Sequence, residues 1–400
     1  MKVRSRPSPM RSCQRRLSRR LWWALLTTGG GVWGLGAVRT LAYSFRCSFC
    51  FSVPGALAGV LFGALVAACA GRVLRRAGRD TDEALPGLLS LWLPLIDVLS
   101  VGAESWRGPA LLAGSLAICI LAFARLPRNA WVALSVIVPL ALYLPDVSPY
   151  VGRADTFEFQ VVSPQLGIAH PSGYPLYTLI SKAFSLLPIG SVAWRINLTS
   201  AVFASLASGL LYLAMPKRSC LLALLTAWTL AFSPTLWSRA IEAEVYALNA
   251  LIVAIMLLTV TLWADGRLIA RRAWPILGLA MGLALASHVT LGALGAIALG
   301  GLVTAKEKPP RSSWLLAVGL GALGLLLYAY IPLRWPAVTG GGQMSSAEFL
   351  RYVTNAGSGG ALRPLAFLRD PGRWRVVGQL ILDQIGWAGL LLATVGWGYL

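Results

Sequence analysis

The chain has 400 residues, of which 57% are hydrophobic and only 12% carry a charge. Soluble domains usually contain about 25% charged residues, so this composition excludes a soluble globular protein and predicts an all-α polytopic integral membrane protein. The formal net charge is +20. It does not indicate a nucleic acid partner, because the Lys and Arg residues crowd into short loops and the N-terminus, as the positive-inside bias produces.

The N-terminal part of the chain is predicted to be a basic tail followed by membrane spans. Residues 1–20 form the tail, which we place in the cytoplasm. Residues 21–126 contain four predicted transmembrane helices, and a fifth apolar segment follows. With the basic ends inside, the fifth segment delivers the next loop to the extracytoplasmic face of the cytoplasmic (inner) membrane. The five segments are 21–43, 53–74, 85–103, 109–124 and 131–144.

This outer loop is the chemically densest part of the sequence. Asp155 and Glu158 are three residues apart, and His170 and Arg195 follow before the next span. Residues i and i+3 share one face of a helix, so both carboxylates are predicted to point into one cavity. There they could serve as a general base or bind a divalent metal ion. The alternative is a pair of solvated loop acids.

A second polar group opens a later span. Glu242, Tyr246 and Asn249 have the spacing of one helical stripe, and Arg239 and Glu244 lie beside them. Acidic residues in a first turn also favour the helix dipole, which is an alternative explanation for the two glutamates. It does not account for the tyrosine and the asparagine deeper in the helix.

The last third adds one histidine and one arginine. His288 interrupts the apolar run 274–303, which we predict to be a hairpin of two short helices with the histidine at the outer turn. Arg334 follows the next span, where it could contact lipid phosphates or the phosphate of a lipid-linked substrate. Residues 335–375 are expected to form an outer loop and 376–400 a further transmembrane helix, with the natural chain extending past Leu400.

The topology that places the basic loops inside also places nine polar residues at the opposite membrane face. Ionisable residues at such a rim are costly and point to function. The sequence has no Walker, HExxH or GxSxG motif, so nucleotide or acyl chemistry of the soluble type is not predicted. The nine residues are Asp155, Glu158, His170, Arg195, Arg239, Glu242, Glu244, His288 and Arg334.

These motifs resemble a bacterial membrane-protein family, a domain of formerly unknown function. It is related to the protein O-mannosyltransferases of the GT-C glycosyltransferase superfamily. The resemblance covers roughly 131–334. It is carried by Asp155-x-x-Glu158-Phe, Leu166-Gly-Ile-Ala-His170-Pro-Ser-Gly-Tyr174-Pro-Leu-Tyr, Leu186-Leu-Pro-Ile-Gly-Ser-Val-Ala-Trp-Arg195-Ile-Asn-Leu, Glu242-Ala-Glu244-Val-Tyr246-Ala-Leu-Asn249, Ser287-His288 and Tyr330-Ile-Pro-Leu-Arg334.

The resemblance implies a GT-C-like transmembrane helical bundle whose first outer loop carries short helices. The catalytic membrane module would be 130–334. The donor would be a sugar, such as mannose, on a polyprenyl phosphate held in the membrane lipid, and the acceptor a hydroxyl of a protein or glycan. No certain cofactor is implied, and a divalent metal ion at the carboxylates is left open. The sequence departs from the family at Phe157, where we expect a glycine.

The resemblance also implies residue roles. Asp155 would be the catalytic base, with Glu158 beside it in the same motif. His170 and Tyr174 would shape the site. Departure of the phosphate needs positive charge, which Arg195, Arg239 or Arg334 could supply. Two alternatives remain at this stage: a transporter or flippase of lipid-linked sugar or polymer, and a structural membrane subunit.

Overall fold

The computed structural model describes residues 19–45, 49–77, 85–95, 98, 107–124, 126–215, 219–356 and 370–399. All regular secondary structure in these ranges is helical, which confirms the all-α prediction. Most of the basic tail 1–20 lies outside them. The chain divides into two compact units, 1–127 and 128–400.

Four helices lie in the described part of the first unit. The first two pack through glycines: a Cβ atom on Gly34 would lie only 2.1 Å from the carbonyl oxygen of Gly59. Small residues allow such close approach between membrane helices. The helices are α1 (Arg19–Phe45), α2 (Val53–Arg76), α3 (Leu85–Ser90) and α4 (Arg107–Phe123).

The predicted third span, 85–103, is not one continuous helix. α3 ends at Ser90, and turns follow over 91–94. Pro94 lacks the main-chain N–H that a continuing helix needs. Most of the remainder of this segment lies outside the described residues.

Thirteen further helices lie in the described ranges of the second unit. They are α5 (Arg128–Tyr143), α6 (Ala154–Gln165), α7 (Pro175–Ser185), α8 (Val192–Ala214), α9 (Cys220–Ala231), α10 (Pro234–Ala240), α11 (Val245–Ala264), α12 (Ala270–Ser287), α13 (Gly295–Thr304), α14 (Arg311–Leu325), α15 (Tyr330–Thr339), α16 (Ser346–Val353) and α17 (Pro371–Tyr399). Short 3-10 turns at Val289–Leu294 and Leu326–Ala329 join neighbouring helices. The predicted last span corresponds to α17, which has a non-helical residue at Gly386.

Several of these helices are long and apolar enough to cross a membrane. In the described part of the chain they are α2, α8, α11 and the continuous segment Arg311–Thr339. The pair α9 and α10 would form a fifth span with a bend of 67°. The chain is therefore a multi-pass membrane protein.

The break at His288 agrees with the predicted hairpin. α12 runs from the end of α11 back to its start, where Ser287 donates a hydrogen bond of 2.6 Å to Asn249. The chain then returns, and the indole of Trp263 at the end of α11 donates to the carbonyl of Glu307 at 2.9 Å. His288 therefore lies at the reversal, at the same end of α11 as Glu244.

Candidate functional site

Helix α6 presents its two acids away from the core. Phe159 is 1% exposed and packs its ring against Tyr174 and Tyr177. Asp155 is exposed in the first turn, and Glu158 is half-buried one turn later. The predicted i, i+3 arrangement is therefore present, and it follows from the apolar and small residues that bury the opposite face of this helix.

A buried amide network fixes the start of α6. Gln160 donates to the side-chain oxygen of Asn197 at 2.9 Å and accepts from the main-chain N–H of Gly152 at 2.8 Å. Asn197 in turn donates to the carbonyl of Ser148 at 3.0 Å. Buried amides that are fully hydrogen-bonded hold one orientation, so the position of the acidic turn is well defined.

Glu158 binds His170 at two points. One carboxylate oxygen accepts from the main-chain N–H of His170 at 2.7 Å, and the other lies 2.5 Å from Nδ1 of its ring. The other ring nitrogen, Nε2, lies 3.1 Å from the hydroxyl of Tyr174. A carboxylate can only accept, so Nδ1 donates the proton of this hydrogen bond, and in the neutral ring Nε2 then accepts from the tyrosine hydroxyl.

Side chains from a distant part of the sequence hold the loop 166–174 in place through hydrogen bonds. Tyr330 donates to the carbonyl of Gly167 at 2.6 Å, and Arg334 Nε donates to Leu166 at 2.8 Å. Tyr352 donates to the carbonyl of Ala169. These three side chains bind main-chain oxygens that would otherwise lack partners.

The second polar group lies at the start of α11. Arg239 Nη1 lies 3.2 Å from a carboxylate oxygen of Glu244, and its guanidinium lies 5.6 Å from the ring centre of Tyr246. The hydroxyl of Ser200 lies 3.2 Å from both the main-chain nitrogen and the carbonyl oxygen of Glu244. Burial raises the pKa of the Glu244 carboxyl, while Arg239 opposes this shift and Asp155 adds to it.

The two polar groups meet around Tyr174. Burial, followed by the charges of Asp155, Tyr246, Glu158 and Glu244, raises the pKa of this tyrosine to about 12. The ring of His288 lies 5.7 Å from its ring. The residues brought together, named the rim cluster from here on, are Asp155, Glu158, His170, Tyr174, Arg239, Glu244, Tyr246 and His288.

The predicted stripe of Glu242, Tyr246 and Asn249 does not form. α11 begins at Val245, so Glu242 lies in the bend before it and is exposed. Tyr246 is half-exposed beside Arg239, whereas Asn249 is buried and accepts the hydrogen bond from Ser287. A helical stripe requires all three residues in one helix, and here the first precedes it.

Two of the three predicted phosphate-binding arginines are engaged elsewhere. Arg195 Nη1 donates to the carbonyls of Ser185 and Leu187, both at 2.6 Å. Arg334 donates to the loop carbonyls described above. These guanidinium groups stabilise main chain, and of the three only Arg239 joins the rim cluster.

The types of Asp155, Glu158 and His170 suit a divalent metal ion, and their ligand atoms lie within 4.8 Å of one another. In this structure two of the three are bonded to each other, so an ion bound by all three would have to replace that hydrogen bond. Ligands about 2.0–2.2 Å from one ion are themselves roughly 3 Å apart or more. Glu158 Oε2 and His170 Nδ1 are 2.5 Å apart, as in a direct hydrogen bond.

Three contributors were given no role from sequence. Tyr330 lies in the motif Tyr330-Ile-Pro-Leu-Arg334 without a predicted function, and no local motif marks Tyr352 or Ser200. Each acts on main chain that is 44 or more positions away. A pattern read along the sequence carries no signal for such contacts.

Comparison with known proteins shows which proteins this segment of the chain resembles. Residues 155–313 match the family model of the protein O-mannosyl-transferase TMEM260 N-terminal domain. Protein O-mannosyl-transferase TMEM260 of Mus musculus is 32% identical over 268 residues, which cover 63% of this chain and 35% of the relative. Its Dictyostelium discoideum counterpart is 37% identical over 129 residues, or 30% of this chain and 15% of that protein.

These matches confirm the predicted resemblance to protein O-mannosyltransferases. The chain spans about a third or less of the length of these curated relatives. No solved structure matches it significantly. The match to the family model starts at Asp155, so it includes the rim cluster from its first residue.

Proposed function

We propose that the chain is a glycosyltransferase that moves a mannose from a polyprenyl-phosphate donor to a hydroxyl of a protein acceptor. The observation that carries the proposal is the rim cluster. An exposed carboxylate, Asp155, opens the segment that is similar to the TMEM260 domain, and a single arginine, Arg239, belongs to the same cluster. The sugar and the acceptor class come from the printed names of the relatives.

Asp155 is proposed as the general base. Its exposure leaves the carboxylate accessible to an acceptor hydroxyl. As the acceptor oxygen attacks the anomeric carbon, Asp155 takes the hydroxyl proton. The bond from that carbon to the phosphate oxygen breaks, and polyprenyl phosphate leaves with the electron pair. A positioned base of this kind typically contributes about 10²- to 10⁴-fold in rate.

Arg239 is proposed to receive the leaving phosphate. In the described part of the chain, hydrogen bonds engage only Nη1 of its guanidinium, through Glu244. The side chain is 39% exposed. The remaining N–H groups form a planar fork that suits phosphate oxygens, and they would stabilise charge as it develops on the leaving group.

A lipid-linked donor suits the position of the cluster. Glu244 and Tyr246 lie at the start of α11, which is long and apolar enough to span a membrane. A polyprenyl tail would stay in the bilayer while its phosphate reaches the rim. We propose the extracytoplasmic side for this rim, because the basic loops flank the opposite ends of these helices.

The proposal is tested with the purified chain in lipid nanodiscs, radiolabelled polyprenyl-phosphate mannose and a threonine-containing peptide. Asp155→Asn should lower kcat by about 10²- to 10⁴-fold without lowering the thermal midpoint of unfolding. Asp265→Asn, at the other end of α11, is the matched control and should keep full activity.

Full activity of Asp155→Asn would remove this carboxylate from the mechanism. If the wild-type chain forms no glycosidic bond but moves the lipid-linked sugar across a vesicle membrane, a transporter replaces the transferase.

A further inference from the structure

A groove of about 350 Å³ lies beside the loop 166–174. Its lining includes Pro171 of the loop, Trp335 of α15, Met344 just before α16, and Tyr352 of α16. The rings of Trp335 and Tyr352 meet edge to face with their centres 5.6 Å apart. The volume is within the range of sites that bind small molecules or a few side chains.

Two residues that line this groove, Pro171 and Tyr352, lie beside His170 of the rim cluster. Pro171 directly follows His170, which Glu158 holds at two points. Tyr352 donates to the carbonyl of Ala169, one residue before the histidine. Burial and then the charge of Glu158 raise the pKa of Tyr352 to about 12, so the tyrosine lies within electrostatic range of the cluster.

The lining favours a polypeptide as the occupant. It is mainly apolar, and its Trp, Tyr, Met and Arg side chains are the types enriched in the cores of protein interfaces. A sugar would need several free hydrogen-bonding side chains. Of the four polar or charged side chains in this lining, Glu348, Arg351, Tyr352 and Asn355, the carboxylate of Glu348 already binds Ser345 and the hydroxyl of Tyr352 already binds Ala169. Bulky aromatic residues with limited side-chain freedom also supply much of the binding energy when polypeptides bind proteins.

The charged side chains at the edge of the groove indicate which charge a bound polypeptide would carry. Glu348 is engaged in a capping box, in which its Oε2 accepts from the main-chain nitrogen and the hydroxyl of Ser345. The side chain of Arg351 is exposed and makes no hydrogen bond or ion pair in the described ranges, although its charge acts on Glu348 one turn earlier. The groove therefore offers one cation for an acidic side chain.

We propose that this groove binds the acceptor polypeptide, with an apolar side chain between Trp335 and Tyr352 and an acidic side chain at Arg351. The inference rests on the transferase activity proposed above and adds acceptor selection to it. A peptide segment bound in the groove would contact Pro171, the residue that follows His170. The acceptor hydroxyl would thus be brought to the rim cluster by binding energy gained outside it.

The experiment measures binding and transfer separately. Two fluorescent decapeptides each carry one threonine and one leucine, flanked by two aspartates in one and by two lysines in the other. Binding is measured by anisotropy without donor, and transfer with polyprenyl-phosphate mannose. Arg351→Glu should weaken binding of the acidic peptide about tenfold and strengthen binding of the basic one, as expected for reversal of a rim charge.

The variant should raise KM for the acidic peptide without changing kcat or the KM for the donor. Arg373→Glu is the control, because this arginine pairs with Asp370 outside the groove. Equal effects on both peptides, or none, would overturn the proposal. So would displacement of the acidic peptide by a mannose oligosaccharide or inorganic phosphate at concentrations near that of the peptide.

Anisotropy requires no catalysis, so it tests the groove even if the wild-type chain transfers no mannose. Transfer that is intact but insensitive to Arg351→Glu would refute the groove and leave the proposed function standing.

Discussion

Glu158 accepts hydrogen bonds from both the main chain and the ring of His170, with the ring nitrogen 2.5 Å from the carboxylate. This double contact ties α6 to the loop 166–174. It gives Glu158 a positioning role, separate from that of the exposed Asp155. Hydrogen bonds to a charged acceptor are roughly twice as strong as neutral ones, so the pair defines where the loop lies.

Glu158→Gln should lower kcat roughly 10- to 100-fold, because small displacements of positioned groups have effects of this size. The decisive measurement is a double-mutant cycle with His170→Asn. If the two residues act as a unit, the double variant is about as impaired as either single one. Effects that multiply instead would show that they act independently. The Asp370 and Arg373 pair serves as a control, since its loss should leave transfer unchanged.

Transfer activity should survive removal of divalent metal ions. The separation of Glu158 and His170 is that of a hydrogen bond, and it is shorter than the spacing of two ligands on one ion. Activity is measured after dialysis against EDTA, and again after Mn²⁺ or Mg²⁺ is added. Loss of activity that either ion restores would mean that the pair opens to bind it.

The loop before α6 should be accessible from outside the cell. Tyr150 is 77% exposed, and Asp265 lies beyond the far end of α11, whose 20 residues span about 30 Å. In a chain with its six cysteines replaced by serine, Tyr150→Cys should react with an impermeant maleimide in intact cells. Asp265→Cys should react only after permeabilisation. The opposite pattern would place the rim cluster in the cytoplasm.

Stability should depend on pH through Glu244. Burial raises the pKa of its carboxyl in the folded state above the usual value of 4.5. A raised folded-state pKa gives stability that is fully present below about 4.5 and lost as pH rises through the folded value. The wild-type thermal midpoint should therefore fall, relative to Glu244→Gln, as pH rises above about 4.5. A constant difference between the two proteins would contradict this. Asp265→Asn, at an exposed site beyond the other end of α11, tests for general effects.

Local patterns were sufficient for part of the site. The spacing of Asp155 and Glu158 predicted one helical face, and α6 has it. The polar pair Ser287 and His288 in an apolar run predicted a break, and α12 ends there. Both features depend on neighbours within a few positions, where side-chain type and helix period decide the outcome.

Contacts between distant segments determined the parts of the site that the sequence patterns did not predict. Arg334 looks like a phosphate ligand in its own segment, but it binds carbonyls 168 and 169 positions earlier. Glu242 appeared to share a stripe with Tyr246 only on the assumption that the helix starts early. Tyr352 carried no signal because its partner, Ala169, lies 183 positions away. These outcomes depend on which main-chain groups remain unpaired once the helices pack.

The fastening of loop 166–174 by Tyr330, Arg334 and Tyr352 affects how the protein can be divided. A polypeptide ending at Ser313, the last residue of the family match, would retain Asp155, Glu158 and His170 but lack all three fasteners. During synthesis the histidine loop would likewise remain unsecured until residue 352 has left the ribosome. The arrangement of the rim cluster is thus completed late, well after the acids themselves have been translated.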